Sequence, residues 1–372
     1  MFAKPFNLIL VYIVTTFNIV ILSSPLIVFL IPFANHRGSG IEIPDNVLAK
    51  FNMALFLIIF LVSFFMLIYI FLDFLFGFAM RSSIKGCQRF EKNKDYDFLS
   101  KIFDEVKDKF GQHNVKLYIK NSQEINAFAV SSFWGKSIVL TDGIINHYLN
   151  NSQNPKEFLY SLRSIMGHEM SHLINKDFLP TYLIIANQKA TNFVSFLLDI
   201  IFGFATRIAL VVPFGSRFLA RTMTDTYAIL NFIFGFFNRF VVFNVYEFLR
   251  KFSSRSIEYR CDRQSGEAFG GKNMAFALSF LGDSGYMTIF STHPNTKKRI
   301  KKVENIDIKD GIIRPKFVDS LSNYFAFMML IFISLFFAKK ADIDILIREY
   351  LNNHEVINSK LRILWGLIKG FI

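Results

Sequence analysis

Residues 51–80, FNMALFLIIFLVSFFMLIYIFLDFLFGFAM, carry a single charge, Asp73. A run of this length crosses the hydrocarbon core of a bilayer as a helix, because lipid offers the backbone no partner outside the segment. Residues 7–33 are charge-free and preceded only by Lys4, so they form a first span. A cleaved signal peptide is the alternative there, but the run is too long and another follows closely. The loop between them is balanced, Arg37 and Lys50 against Glu42 and Asp45. Arg81, Lys85, Arg89, Lys92 and Lys94 then follow the second run at once. The positive-inside tendency puts the N-terminus and residue 81 onward in the cytoplasm.

Composition agrees: 52% of residues are hydrophobic and 47 are Phe, well outside average soluble usage. The net charge of +13 lies largely beside apolar runs, and no RNA- or DNA-binding motif accompanies it, so nucleic acid is not an expected partner. Two distant cysteines, Cys87 and Cys261, give no disulfide framework.

From about 82 the chain turns globular. Leu99, Ile102, Phe103, Val106 and Phe110 have helical spacing, while 115–120, 126–133 and 137–141 alternate as strands, with Trp134-Gly135-Lys136 as a turn. Asn154, Pro155 and Glu157 form a helix start with a cap, a first-turn proline and an acid three past the cap. The helix they begin carries His168-Glu169-Met170-Ser171-His172. Its two imidazoles share one face, and Glu169 is placed to contact a water on a bound ion. This is the pattern of a zinc hydrolase, although two His four apart are also an ordinary surface pair. A third ligand is needed, and the candidate is Glu258, with Asp262 one turn on to support an imidazole. By itself such an acid pair on a basic helix is more often a solvated face. Glu258 also reaches the histidines only if the chain between crosses the bilayer an even number of times.

That stretch, 181–250, contains apolar segments near 192–213 and 227–247, interrupted by Asp199, Arg207 and Arg239. We read it as a crossing hairpin, with an interfacial hairpin or a soluble helical insertion as alternatives. Asp199 and Arg207 are eight apart and share a face. Residues 322–338 are a charge-free run at the lower length limit for a span, and the basic amphipathic tail 360–372 suits a membrane surface.

Four separated motifs resemble the M48 membrane zinc peptidases, nearest their bacterial heat-shock, HtpX-like branch: NAFAV with VLTDGII (126–130, 139–145), GHEMSHLINKD (167–177), SRSIEYRCD (254–262) and STHPNTKKRI (291–300). Cys261 departs from that pattern, standing where a small Ala is usual, and the run at 322–338 with its tail lies outside it.

The resemblance implies an α+β chain that is a mainly α-helical integral membrane protein, with a cytosolic zincin-like (gluzincin) domain carrying a small β-sheet. Its parts would be 1–81 (two spans), 82–180 (catalytic, first part), 181–250 (hairpin), 251–320 (catalytic, second part) and 321–372 (apolar segment and tail). It implies one Zn²⁺ on His168, His172 and Glu258, Glu169 as base, and His293 as a donor to the oxyanion or a structural hydrogen-bonder. Asp262, Asp177 and Arg255 would surround the ligands, with Arg255 and Arg299 orienting the carboxylates. Asn126, Ala127 and Phe128 would form a strand that pairs with substrate; the alternative is a plain core strand, since Phe128 and Val130 are expected to pack inward in either case. The expected partners are polypeptides, membrane proteins foremost, and the lipid bilayer of the cytoplasmic (inner) membrane, in protein quality control. A narrower maturation protease and a non-catalytic scaffold or transporter are the alternatives.

Overall fold

The computed structural model describes residues 8–20, 22–23, 45–92, 96–132, 135–211, 243–281 and 295–343, with Pro5, Asp225, Ala228, Phe232, Phe236 and Ile345 singly. It divides into two compact units: residues 1–17, 68–188 and 235–327, and residues 18–67, 189–234 and 328–372.

The first unit holds the sheet. Strands β1 (Cys87–Arg89), β2 (Val115–Lys120), β3 (Ala127–Ser132) and β4 (Gly135–Thr141) lie in the order β1-β2-β4-β3. The β2–β4 pairing is parallel and the outer two are antiparallel. Gly135 pairs with Ser132, so it opens β4 instead of lying in the turn. β3 is an edge strand.

Helices α1 (Leu8–Val20), α2 (Asp45–Phe76), α3 (Phe78–Ser83), α4 (Phe98–Phe110) and α5 (Asp142–Asn151) come first. Helices α6 (Pro155–Asn175), α7 (Phe178–Val211), α8 (Phe243–Phe269), α9 (Gly271–Ser279), α10 (Thr296–Val303) and α11 (Phe317–Lys340) follow. The apolar stripe of α4 is buried at all five positions its spacing marks, and it packs with Leu117, Leu140, Leu162 and Met166 into one core. At the start of α6, Asn154 Oδ1 accepts from the Glu157 N–H (3.0 Å) while Glu157 accepts from the Gln153 N–H (2.8 Å).

In the second unit, Phe65 meets Phe193 edge-on (centroids 4.4 Å apart) and Phe56 lies 5.7 Å from Phe337. Among the described residues, two helices are long and apolar enough to cross a membrane, Leu48–Phe76 and Phe317–Lys340, and little of either is buried against protein. The expected span 51–80 thus begins earlier and stops at Phe76. There Gly77, at φ +62°, ends α2 by donating its N–H to the Asp73 carbonyl. The run at 322–338 is part of the longer α11.

Residues 192–213 belong not to a separate segment but largely to the 34-residue α7, whose Pro180 is harmless in the first turn. Asp199 and Arg207 are both exposed on it. Of 7–33, the described residues 8–20 and 22–23 are helical. Most of 227–247 and the tail 360–372 lie outside the described residues.

Candidate metal centre

Helix α6 presents His168 and His172 on one face, with their Nε2 atoms 3.2 Å apart. Helix α8 lies across α6 and brings Glu258 to both: its carboxylate oxygens are 3.5 Å from His168 Nε2 and 3.6 Å from His172 Nε2. Gly167 permits this approach. A Cβ there would meet the Phe269 ring at 2.8 Å and Ser265 Oγ at 2.9 Å. Beside it Ser265 Oγ donates to the Ser164 carbonyl (2.6 Å), tying the helices together.

Each imidazole is backed by its own carboxylate. Asp262 Oδ1 approaches His168 Nδ1 at 2.9 Å, off the ring's N–H axis, and is itself gripped by Arg299 through two bonds of 2.7 and 2.6 Å. His172 Nδ1 faces Asp177 Oδ2 at 2.9 Å. Asp177 arrives there because Lys176 takes a left-handed backbone (φ +55°) after the last turn of α6, and the Asp177 N–H bonds back to the His172 carbonyl. Two nitrogens and a carboxylate separated by 3.2–3.6 Å match the edges of a tetrahedral zinc site, roughly 3.3 Å for ligand distances near 2.0–2.1 Å. The carboxylates on both Nδ1 atoms would leave both Nε2 lone pairs for a metal. Glu169, next to His168, is buried.

Without a metal, burial opposes charge on His168. The Asp262 and Glu258 carboxylates, as acceptors and as negative charges, outweigh it and push the imidazole up to about 10. Burial likewise opposes charge on Asp262, yet Arg299 and His168 hold its carboxyl below the usual range.

Asp262 and Asp177 are each held by an arginine. Arg299 takes Asp262, as its motif suggested, and Arg260 takes Asp177. Arg255 is half-buried on α8. Arg260 carries no signal in the sequence beyond its place between Glu258 and Asp262. His293 lies outside the described residues.

On the strand β3, the Asn126 N–H donates to Thr141 Oγ1 and its carbonyl accepts from the Thr141 N–H, both 3.1 Å. Alternation in an antiparallel pair therefore turns the main-chain groups of Asn126 and Phe128 toward β4, and those of Ala127, Ala129 and Ser131 outward. Of the three residues expected to pair with substrate, Ala127 alone turns its main-chain groups to the outer edge. The inward face is also reversed: Ala127 and Ala129 pack on the core, putting Phe128 and Val130 on the opposite face. Small side chains let α6 pack against the strand. A cavity of about 590 Å³ adjoins this edge, lined by Val130, Ser132, Phe178, Leu179, Tyr182 and Tyr324.

The pattern of peptidase family M48 matches residues 94–307, more than half the chain. The chain belongs to peptidase family M48. Among solved structures it is similar to the crystal structure of Ste24p from S. mikatae, at 17% identity and a TM-score of 0.36. That match covers 75% of this chain and 62% of the other, so the chain spans less than two thirds of that protein.

Proposed function

We propose that the chain is a membrane-anchored zinc endopeptidase whose metal is held by His168, His172 and Glu258. The observation that carries this reading is the triangle of His168 Nε2, His172 Nε2 and the Glu258 carboxylate, with a separate carboxylate behind each imidazole. Zinc, when bound, supplies a Lewis acid that lowers the pKa of a water toward neutrality and polarises a scissile carbonyl. Glu169 takes the proton of the attacking water on its carboxylate and returns it to the leaving amine. Asp262 and Asp177 hold the imidazoles in orientation through their Nδ1 atoms. His293 is the proposed hydrogen-bond donor to the oxyanion, from the resemblance of its motif.

Substrate binds as an added strand on the outer edge of β3, through the main-chain groups of Ala127, Ala129 and Ser131, with an apolar side chain in the adjoining cavity. The exposed apolar lengths of α2 and α11 support an anchor in the bilayer. The basic cluster from Arg81 onward supports a catalytic unit on the cytoplasmic side of a bacterial inner membrane. Any crossings between His172 and Glu258 are even in number. We assign the substrate class to cytosolic segments of damaged membrane proteins, as in the HtpX-like branch. Strand addition reads main chain more than side chain, which favours this broad range over a narrow maturation role.

The test compares wild type with Glu169→Ala in membranes supplied with zinc, following cleavage of a misfolded membrane protein and of the chain itself. Zinc is expected in both and proteolysis in wild type only. Equal cleavage by the two proteins would sink the mechanism.

A further inference from the structure

The support behind His172 does not stop at Asp177. Arg260, on α8, reaches Asp177 Oδ2 with one guanidinium nitrogen and Asp319 Oδ2 with another, the latter at 2.6 Å. All three side chains are buried, each 6–7% exposed. Asp319 is the third residue of α11 and lies twelve residues past the end of the M48 match at 307. One turn later, the Tyr324 ring stacks beneath Lys176 Nζ at 5.7 Å, so α11 also touches the residue whose left-handed backbone delivers Asp177. The start of α11 therefore meets the two ligand-bearing helices at one point each, Arg260 on α8 and Lys176 at the end of α6, around the carboxylate of Asp177.

We infer that Asp319 and Arg260 are positioning residues for the metal centre, so that α11, outside the family's matched region, is part of the catalytic apparatus. This rests on the zinc reading of His168, His172 and Glu258. Alternating charge explains how it works. If Arg260 faced Asp177 alone, its guanidinium would draw the carboxylate's electron density away from His172 Nδ1–H. Sharing the guanidinium with Asp319 leaves Asp177 a stronger acceptor for that N–H, and a stronger acceptor makes Nε2 a better metal ligand. The planar fork of arginine also fixes where Asp177 sits, which a single ammonium could not do for two carboxylates. A buried ion triad is seldom the most stabilising filling for such a site, so placement accounts for it better than stability does.

The test measures zinc affinity of the full chain in detergent or nanodiscs by competition with a chromogenic chelator, and records the visible spectrum of the Co²⁺-loaded protein. His168→Ala is the reference for loss of a ligand. Removing a group behind a ligating histidine typically weakens metal binding about 10–100-fold, and Asp319 stands one step further out, so Asp319→Asn should weaken zinc by about 3–10-fold. Asp319→Glu should restore most of the affinity, Tyr324→Ala should leave it near wild type, and the Co²⁺ spectrum should shift in Asp319→Asn alone of these three. In an Arg260→Gln background, Asp319→Asn should add nothing, because the link is already cut. If Asp319→Asn does not fold, Arg260→Lys reports the same link and should show a similar loss.

Wild-type affinity in Asp319→Asn or, where that variant does not fold, in Arg260→Lys would overturn the inference. So would an undiminished Asp319→Asn effect in the Arg260→Gln background, or an equal loss in Tyr324→Ala. If wild type and His168→Ala bind zinc alike, the zinc reading itself is what fails.

Discussion

Along α6 the buried side chains include Ser161, Ser164, His168, Glu169, Ser171 and Asn175, while along α2 Phe64, Phe71, Leu72, Phe74 and Phe76 are exposed. One helix hides polar groups and the other displays apolar ones. The buried polar groups of α6 answer to specific neighbours: Ser171 and Asn175 both bond Gln264 Oε1 from α8, His172 bonds Asp177, and His168 faces the Asp262 carboxylate. Such groups are tolerated inside only because they are paired. The exposed phenylalanines of α2 make ring contacts such as Phe60–Phe64 and Phe76–Phe78 but leave much of their apolar surface uncovered, and lipid is a solvent that accepts such surface without penalty. Under the proposed membrane anchor the chain is folded for two solvents, and a residue's polarity reports which one it faces only once its helix is known.

The comparison breaks most easily on α2. Phe71→Arg should raise the free energy of membrane insertion by about 2.5–3.5 kcal/mol if that face lies in lipid near mid-bilayer. A change within about 0.5 kcal/mol, the ordinary range for a water-facing site, would remove α2 from the bilayer. Insertion efficiency of the isolated segment in a glycosylation-reporter assay decides between them.

The corresponding test on α6 is Gly167→Ala. The added methyl has no room against Phe269 and Ser265, so it should destabilise by about 1–3 kcal/mol and spread the helices that carry the ligands. Chemical unfolding should show the loss, and zinc affinity should fall with it. An unchanged midpoint would mean that the two helices do not meet this closely.

The smallest effect concerns protons. In the chelator-stripped protein His168 titrates near 10, against an ordinary 6.5 in the unfolded chain. A group whose pKa is raised on folding stabilises while protonated, so its contribution is complete below about pH 6.5 and is lost as pH rises through about 10. Melting temperature of the stripped protein should therefore fall over that interval. With zinc bound, Nε2 holds metal instead of a proton, and the slope should flatten. A stripped protein equally stable at both ends would contradict the buried pairing of His168 with Asp262.

Much of the metal helix was legible because its signals are local. Asn154, Pro155 and Glu157 start it, and the four-residue spacing of His168 and His172 sets their common face. Glu258 and Asp262 were legible as a pair for the same reason, although only the crossing of α8 over α6 shows what they face. Arg260 and Asp319 were not, because 59 residues separate them and no period links them. β3 misled by hydrophobicity: Phe128 and Val130 are its most apolar residues, but the core side belongs to the two alanines, where α6 comes close. The extent of α7 was hidden by Pro180 and by the polar stretch Asn187–Lys189, both of which the 34-residue helix accommodates.

The edge position of β3 has a consequence for selectivity. A segment that is already folded has spent its amides and carbonyls on its own helices and sheets, and has none to lay beside Ala127, Ala129 and Ser131. Under the proposed mode of binding, the edge admits a chain according to whether its backbone is unclaimed. The protein would then measure the foldedness of its targets, and hardly their sequence.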